Sequence, residues 1–379
     1  MTVKRPFVDF YRELEISPVH QDVSDPEKHL ARRAALYRQL GIPPLYVRER
    51  SVIEFGPGSG YNALYTASLR PKRYVLVEHN PRGIADMREL FARFSLERME
   101  IVSSLAEDFQ TDDRFALVIA EGMLPYAVGP IGLVQKIATF VEPGGLLIVT
   151  CVDGPGALDT IVRRAIGWRV VAPEIPARER VAPLVEIFDA HLRALPGRSR
   201  PTEDWVLDNV VQPFTGSLFS IPDALGALDS DFDAFGGSPH FVADWRWYKA
   251  IPDDVGANAF TLSAYRRTIL NFLDYRNALP PHDEALGALV IDRCNLMYRL
   301  MQRRESAGEE TLGEFVAALR EVSNAVRTLA PLTAASLDAA VTFLETPGKP
   351  DWTLLDPFVP YFSRGAQYVS LIRRGKAQG

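Results

Sequence analysis

Three features of the chain predict an α/β fold with a doubly wound sheet and helical insertions. The β-branched pair Val52-Ile53 leads into Glu54 and then glycines at alternating positions 56, 58 and 60, after which residues 62–67 read as the first turns of a helix. Strand, glycine turn and helix make the first βα unit of a sheet in which backbone approaches a ligand closely. Apolar runs at 74–77, 99–103, 115–120 and 146–150 alternate with helical stretches, the pattern of parallel strands. Residues 258–345 carry helical spacing almost throughout, which predicts a helical block rather than more sheet.

The chain has 379 residues, which calls for a core domain with large insertions or for two domains. Hydrophobic residues at 47% and charged residues at 24% are ordinary globular values. A net charge of -6 argues against a nucleic-acid backbone as the main partner, because such binding needs a basic footprint. Cys151 and Cys294 are too few for a disulfide framework and have no metal-ligand spacing, and no other metal signature is present. The first residues lack an apolar signal region and no apolar run has membrane-spanning length, so a cytoplasmic protein without a membrane partner is expected.

The glycine turn admits two cofactor classes. A dinucleotide fingerprint G-x-G-x-x-G/A fits only as Gly58, Gly60 and Ala63, leaving Gly56 and Glu54 without a role. The pattern Glu54-x-Gly56-x-Gly58-x-Gly60 uses every feature, and it resembles motif I of the class I S-adenosylmethionine-dependent methyltransferases. The resemblance covers about residues 50–150 and, less closely, the last strand. It implies a seven-stranded methyltransferase sheet, with Gly56, Gly58 and Gly60 packing on the methionine part of the cofactor and Glu54 answering its ammonium group.

The elements follow in order. Before the turn, residues 7–11 have a helical apolar face that breaks at 16–19, and Ser24-Asp25-Pro26-Glu27 caps and starts a helix from His29 to Leu40. In the resembled family this lead-in folds over the cofactor as a lid, for which His29, Arg32 and Tyr37 are candidates; a solvated amphipathic helix accounts for them equally. The strand 74–78 ends in Glu78, about two dozen residues after Glu54, where a carboxylate can accept both ribose hydroxyls. Asn80-Pro81 starts the next helix. After the strand at 99–103, the resemblance places the adenine beside Ala106 and Glu107, although Leu105 takes the place of the family's usual acid and Asp108 is available to solvent. The fourth strand ends at Glu121, expected with its neighbours through Tyr126 to border the transferred methyl group. Pro143-Gly144-Gly145 introduces the fifth strand.

Beyond Cys151 the pattern turns irregular, with helical pieces at 184–195, at 202–209 with Thr202 as its cap, and at 220–228. Asp204 and Asp208 share one side of the second of these, with Trp205 beside them. In Ser238 to Lys249, the residues Trp245, Trp247 and Tyr248 with Arg246 and Lys249 either wall a pocket for a flat or sugar-like substrate or alternate as a core strand with both tryptophans inward. His240 is either a general base or a structural histidine. Helices are expected at 265–277, 283–304, 311–329 and 334–344, with Leu286, Leu289, Val290, Leu296 and Leu300 in their core, before a last strand at 367–372.

The expected organisation is a lead-in at 1–50, a cofactor-binding core at 51–152, a substrate-side insertion with the sixth strand at 153–250, a helical insertion at 251–350 and a closing strand within 351–379. The function expected is methyl transfer from S-adenosylmethionine to a small-molecule or glycan-precursor acceptor. His240, Asp204, Asp208 and Glu121 are the candidate bases, and Trp205, Trp245, Trp247 and Tyr248 would line the acceptor site. Two readings compete: a non-catalytic SAM- or nucleotide-binding module whose helical insertion recruits a partner, and an NAD-dependent oxidoreductase, against which the glycine spacing counts.

Overall fold

The computed structural model describes Phe10 and residues 25–375, apart from 97, 98, 126, 199 and 215. The expected helical face at 7–11, save Phe10, its break at 16–19, and Tyr126 lie outside the described residues. The chain divides into two compact units. The first comprises the described residues of Met1–Cys151, Gly216–Leu262 and Gln367–Gly379, and the second those of Val152–Thr215 and Ser263–Ala366.

The first unit holds a seven-stranded sheet: β1 (Ser51–Phe55), β2 (Arg73–Glu78), β3 (Glu100–Ser103), β4 (Phe115–Ala120), β5 (Val141–Cys151), β6 (Phe232–Ser238) and β7 (Gln367–Arg373), in the order β3-β2-β1-β4-β5-β7-β6. The first five strands are parallel, and β7 runs antiparallel between β5 and β6. This is the doubly wound α/β sheet predicted, with the final strand closing it as expected. Central strands covered on both faces read as unbroken apolar runs, and Val52, Ile53 and Phe55 are accordingly fully buried.

Helices α1 (Pro26–Gln39), α2 (Pro44–Val47), α3 (Ala63–Ser68), α4 (Pro81–Arg93), α5 (Pro130–Ala138) and α9 (Ile221–Leu228) belong to this unit. Asp25 caps α1 by accepting from Lys28 N, and Asn80 caps α4 by accepting from Arg82 N. Ser220 and Asp223 form a reciprocal capping box on α9. Phe55, Phe109 and Phe140 pack with ring centroids 5.5–5.6 Å apart beneath one face of the sheet. On the other face Tyr37, Leu40, Leu64 and Tyr65 join Val52, Leu76 and Leu117 in one core.

The second unit is helical: α6 (Gly154–Trp168), α7 (Ala177–Ala194), α8 (Thr202–Val206), the C-terminal part of α10 (Ala257–Thr268), α11 (Leu270–Leu273), α12 (Glu284–Ala307), α13 (Leu312–Val326) and α14 (Pro331–Glu345). Two consecutive buried arginines tie it together. Arg163 pairs with Asp159, donates to Tyr361 O and stacks on Phe362, while Arg164 pairs with Glu305 and stacks on Phe214. Two sequence expectations fail here. Thr202 is not a helix cap, because its hydroxyl donates to Asp189 and Pro201 takes the cap position. Leu289 is 37% exposed rather than core, while Val290 and Leu300 are buried.

Gly56, Gly58 and Gly60 have φ of 67°, 56° and 79°, a region in which a Cβ collides with the following carbonyl. A Cβ at Gly60 would also come within 2.7 Å of Met87 Cγ. Gly60→Ala is therefore expected to lower stability by about 1–2 kcal/mol, measured by urea unfolding. An unchanged unfolding midpoint would show that the turn relaxes to negative φ.

Candidate functional site

The site begins where β1 and β2 end side by side, Phe55 in register with Val77. The glycine turn leaves β1 and folds back so that Gly58 N donates to Glu78 Oε2 at 2.9 Å. Glu78 Oε1 accepts from the backbone amides of His79 and Asn80, both at 2.8 Å, with His79 Nδ1 3.2 Å away. Burial pushes this carboxyl up, but His79 and the amides of Asn80 and Gly58 outweigh it and hold Glu78 below the usual carboxylate range. It is therefore an ionised acceptor at the C-terminal end of β2, where a ligand's hydroxyls can reach it.

Glu54 has the opposite character. It is buried at 3% exposure and accepts a hydrogen bond from the Tyr74 hydroxyl. Burial pushes its carboxyl up to about 7, with the neighbouring Glu121 charge adding to the rise and the Tyr74 bond and Arg33 opposing it. Arg33, the cation opposing that rise, is committed elsewhere: its Nη1 and Nη2 hold Glu121 bidentately at 2.8 and 2.7 Å. Glu121, the residue after β4, also accepts from Asn62 Nδ2 at 2.8 Å and from Tyr368 OH at 3.0 Å. Next to it Gly122 has open space where a Cβ would stand, so the end of β4 offers room for a ligand.

Helix α1 meets this edge along one face. His29 Nε2–H donates to Tyr61 O at 2.8 Å, Arg33 pairs with Glu121, and Tyr37 shares a 2.6 Å hydrogen bond with Thr66 Oγ1. Of the lid candidates, His29 faces the turn, Tyr37 is a core residue and Arg32 lies on the exposed side. Sequence reasoning passed over Arg33, Asn62 and Tyr368. The signal for Arg33 was present, since His29, Arg33 and Tyr37 recur every fourth residue and so share a helix face.

Ala106 is buried past the end of β3, whereas the Glu107 side chain is exposed and its carbonyl accepts from Lys136. His240 follows β6, whose last residue Ser238 is level with Tyr368, itself level with Thr150 near the end of β5. It thus leaves the sheet at the same end of the strands as the glycine turn, but on the outermost strand, four strands from β1, and it lines a cavity of about 280 Å³ with Phe241, Asp244, Arg246 and Phe260. The alternative of a core strand at 238–249 is overturned. The segment after Ser238 has neither strand nor helix, and Trp245, Trp247 and Tyr248 are 94%, 65% and 65% exposed, because the strand ends before they begin. Asp204, Trp205 and Asp208 belong to the helical unit, where Asp208 is ion-paired with Arg200.

A seven-stranded mixed sheet with five parallel strands leading it is the fold of the S-adenosylmethionine-dependent class I methyltransferases. Residues 27–181 match the family model described as a methyltransferase domain, so the chain carries such a domain, and its cofactor is S-adenosylmethionine. Over 153 residues the chain is 32% identical to the ribosomal RNA small subunit methyltransferase G of Nocardioides sp. (strain ATCC BAA-499 / JS614), covering 39% of this chain and 56% of that protein. The chain thus spans about half the length of the curated relative it matches. Among solved structures it is similar to the CcbJ methyltransferase from Streptomyces caelestis, with 23% identity, TM-score 0.30, 39% of this chain and 57% of that one. It is also similar to the N-methyltransferase NodS from Bradyrhizobium japonicum WM9 in complex with S-adenosyl-L-homocysteine, with 21% identity, TM-score 0.30, 38% of this chain and 74% of that one.

The residues present fit this cofactor. A buried carboxyl whose nearby cation is already engaged, Glu54, suits an ammonium group, and the ionised Glu78 suits a pair of hydroxyls. The raised Glu54 carboxyl has a consequence for pH. A folded-state value of about 7 against an ordinary 4.5 means the folded protein holds the proton in that window, so the ligand-free protein loses stability as pH rises through it. A cation arriving beside Glu54 reverses this by favouring the charged form. Binding of S-adenosylhomocysteine is expected to release protons at about pH 6 and fewer at about pH 8.5. Calorimetry in buffers of different ionisation enthalpy reads this directly, and a buffer-independent enthalpy at the lower pH would contradict it.

Proposed function

We propose that this chain transfers the methyl group of S-adenosylmethionine to a small-molecule or glycan-precursor acceptor. The observation that carries the reading is the Gly58–Glu78 hydrogen bond, which ties the positive-φ glycine turn to an ionised acid at the next strand end. The bound sulfonium supplies an electrophilic methyl group with a neutral thioether as leaving group. The protein's share is positioning, since an in-line displacement gains most from holding donor and acceptor at the right distance and angle. Gly56, Gly58 and Gly60 would pack on the methionine part, Glu54 would accept from its ammonium group, and Glu78 would take the ribose hydroxyls. Ala106 would bracket the adenine, and Glu107, being exposed, would contribute through its backbone.

On the acceptor side His240 is the favoured base, supported by its position at the ligand-facing end of the strands and its place in the cavity wall. Asp204 and Asp208 remain candidates, with Asp208 requiring release from Arg200. Trp205, Trp245, Trp247 and Tyr248 are proposed acceptor contacts; the last three are exposed, with Trp247 and Tyr248 packed on each other beside Lys249, a surface suited to flat or sugar-like molecules. A nucleic-acid acceptor, which the ribosomal RNA enzyme's name raises, is disfavoured by the net charge of -6. Among the described residues no helix is long and apolar enough to cross a membrane.

Loss of charged hydrogen bonds costs about 1.5–3 kcal/mol, so Glu78→Ala is expected to weaken S-adenosylhomocysteine binding about tenfold to a hundredfold. Absence of calorimetric binding to the folded wild-type protein would end the reading. His240→Ala is expected to reduce kcat about a hundredfold or more with the chosen acceptor, while cofactor affinity stays near that of the wild type. Cofactor that binds but is never turned over across acceptor libraries, together with a stable protein complex, would favour the regulatory module instead.

A further inference from the structure

Glu121 has more hydrogen-bonding partners than a carboxylate at a strand end needs. Its Oε1 takes Arg33, Asn62 and Tyr368 together, and its Oε2 takes the second arm of Arg33. Both partners of the ion pair are about nine-tenths buried, at 10% and 9% side-chain exposure. The donors come from three different elements: α1, the residue that leaves the glycine turn, and β7. Such a carboxylate has little lone-pair capacity left for an acceptor's proton, whereas it fixes three backbones relative to β4.

Helix α1 needs that fixing. Its buried residues, His29, Arg33 and Tyr37, all carry a polar group, while Leu30, Ala34 and Leu36 pack half-buried against the core beside them. An apolar face tolerates sliding, because burial is non-directional. A polar face holds only where its bonds are made. The anchors lie about a turn apart: His29 to Tyr61 O, Arg33 to Glu121, Tyr37 to Thr66, and Leu40 O accepting from Ser370 Oγ at 2.7 Å. Two of these, and the Asn62 bond, land on residues that immediately follow the glycine turn or lie in the helix it opens.

We propose that Arg33 and Glu121 act as a positioning pair that sets α1 and the exit of the glycine turn against the end of β4. Through them the pair sets the place of the cofactor's methionine end, and neither residue serves as the general base. The inference rests on the cofactor reading given above. It removes Glu121 from the candidate bases and gives Arg33 a role that the sequence did not suggest.

A double-mutant cycle tests it, with two readouts: S-adenosylhomocysteine affinity by calorimetry, and hydrogen exchange of the α1 amides in the ligand-free protein. Arg33→Met and Glu121→Gln are each expected to weaken binding about tenfold and to speed α1 exchange. The double variant is expected to be no worse than the weaker single, because each single already breaks the same unit. Arg33→Lys should recover part of the affinity. Tyr368→Phe, which removes one donor and no charge, should show a smaller loss in the same direction and serves if a charge variant does not fold. Additive losses would mean that each residue contacts the cofactor separately and would overturn the proposal, as would an unaltered affinity or unaltered α1 exchange. If the wild-type protein does not bind the probe, the cofactor reading fails; slow α1 exchange lost in the variants would then show that the failure lies there and not in the pair.

Discussion

The Glu78 carboxylate is the constraint on which the ligand-facing edge depends. It takes the Gly58 amide from the neighbouring turn and the His79 and Asn80 amides from its own, so the ends of β1 and β2 are held as one surface. That bond requires the turn to double back within a few residues, which is why Gly56, Gly58 and Gly60 all adopt positive φ. It also leaves an ionised acid at the strand end while Glu54, one strand away, is driven toward neutrality by burial. Two carboxyl groups of similar chemistry are thus shifted in opposite directions by their surroundings, and the proposed ligand would bring hydroxyls to one and a cation to the other.

Much of this was legible in the sequence, and the reason is local. Glycine spacing, a buried strand run and an acid at its end each act within a few residues, so β1, β2, β4 and the turn could be placed from their own composition. The closing strand β7 was legible for the same reason. What escaped depended on non-local pairing. Arg33 reaches Glu121 across 88 positions and Tyr368 reaches it across 247, and neither distance leaves a mark on the local pattern. Arg33 had half a signal, its four-residue spacing from His29 and Tyr37, but Arg32 beside it offers the same chemistry and only the helix phase separates them. The segment from Ser238 to Lys249 shows the converse: its aromatic alternation resembles a strand, yet Trp245 and Trp247 lie past the end of β6 and face solvent.

The two units divide the protein's chemistry unevenly. The sheet unit carries the glycine turn, the three acids Glu54, Glu78 and Glu121, and the cavity beside His240. The helical unit invests its buried charge in structure, with Arg163 and Arg164 each held by an acid, a carbonyl and an aromatic face. Removing one partner of such a pair leaves the other charge uncompensated, so these arginines are constraints on folding rather than reserves for catalysis. Asp204 and Asp208 sit in that unit, and their part in acceptor chemistry is the more demanding of the proposals made for this chain.

The most direct test is a crystal structure of the protein grown with S-adenosylhomocysteine. The account predicts the ribose hydroxyls within hydrogen-bond distance of the Glu78 carboxylate, the amino group on the Glu54 side of the glycine turn, and Glu121 still held by Arg33. Density for the ligand elsewhere, or a ribose that does not touch Glu78, would contradict it.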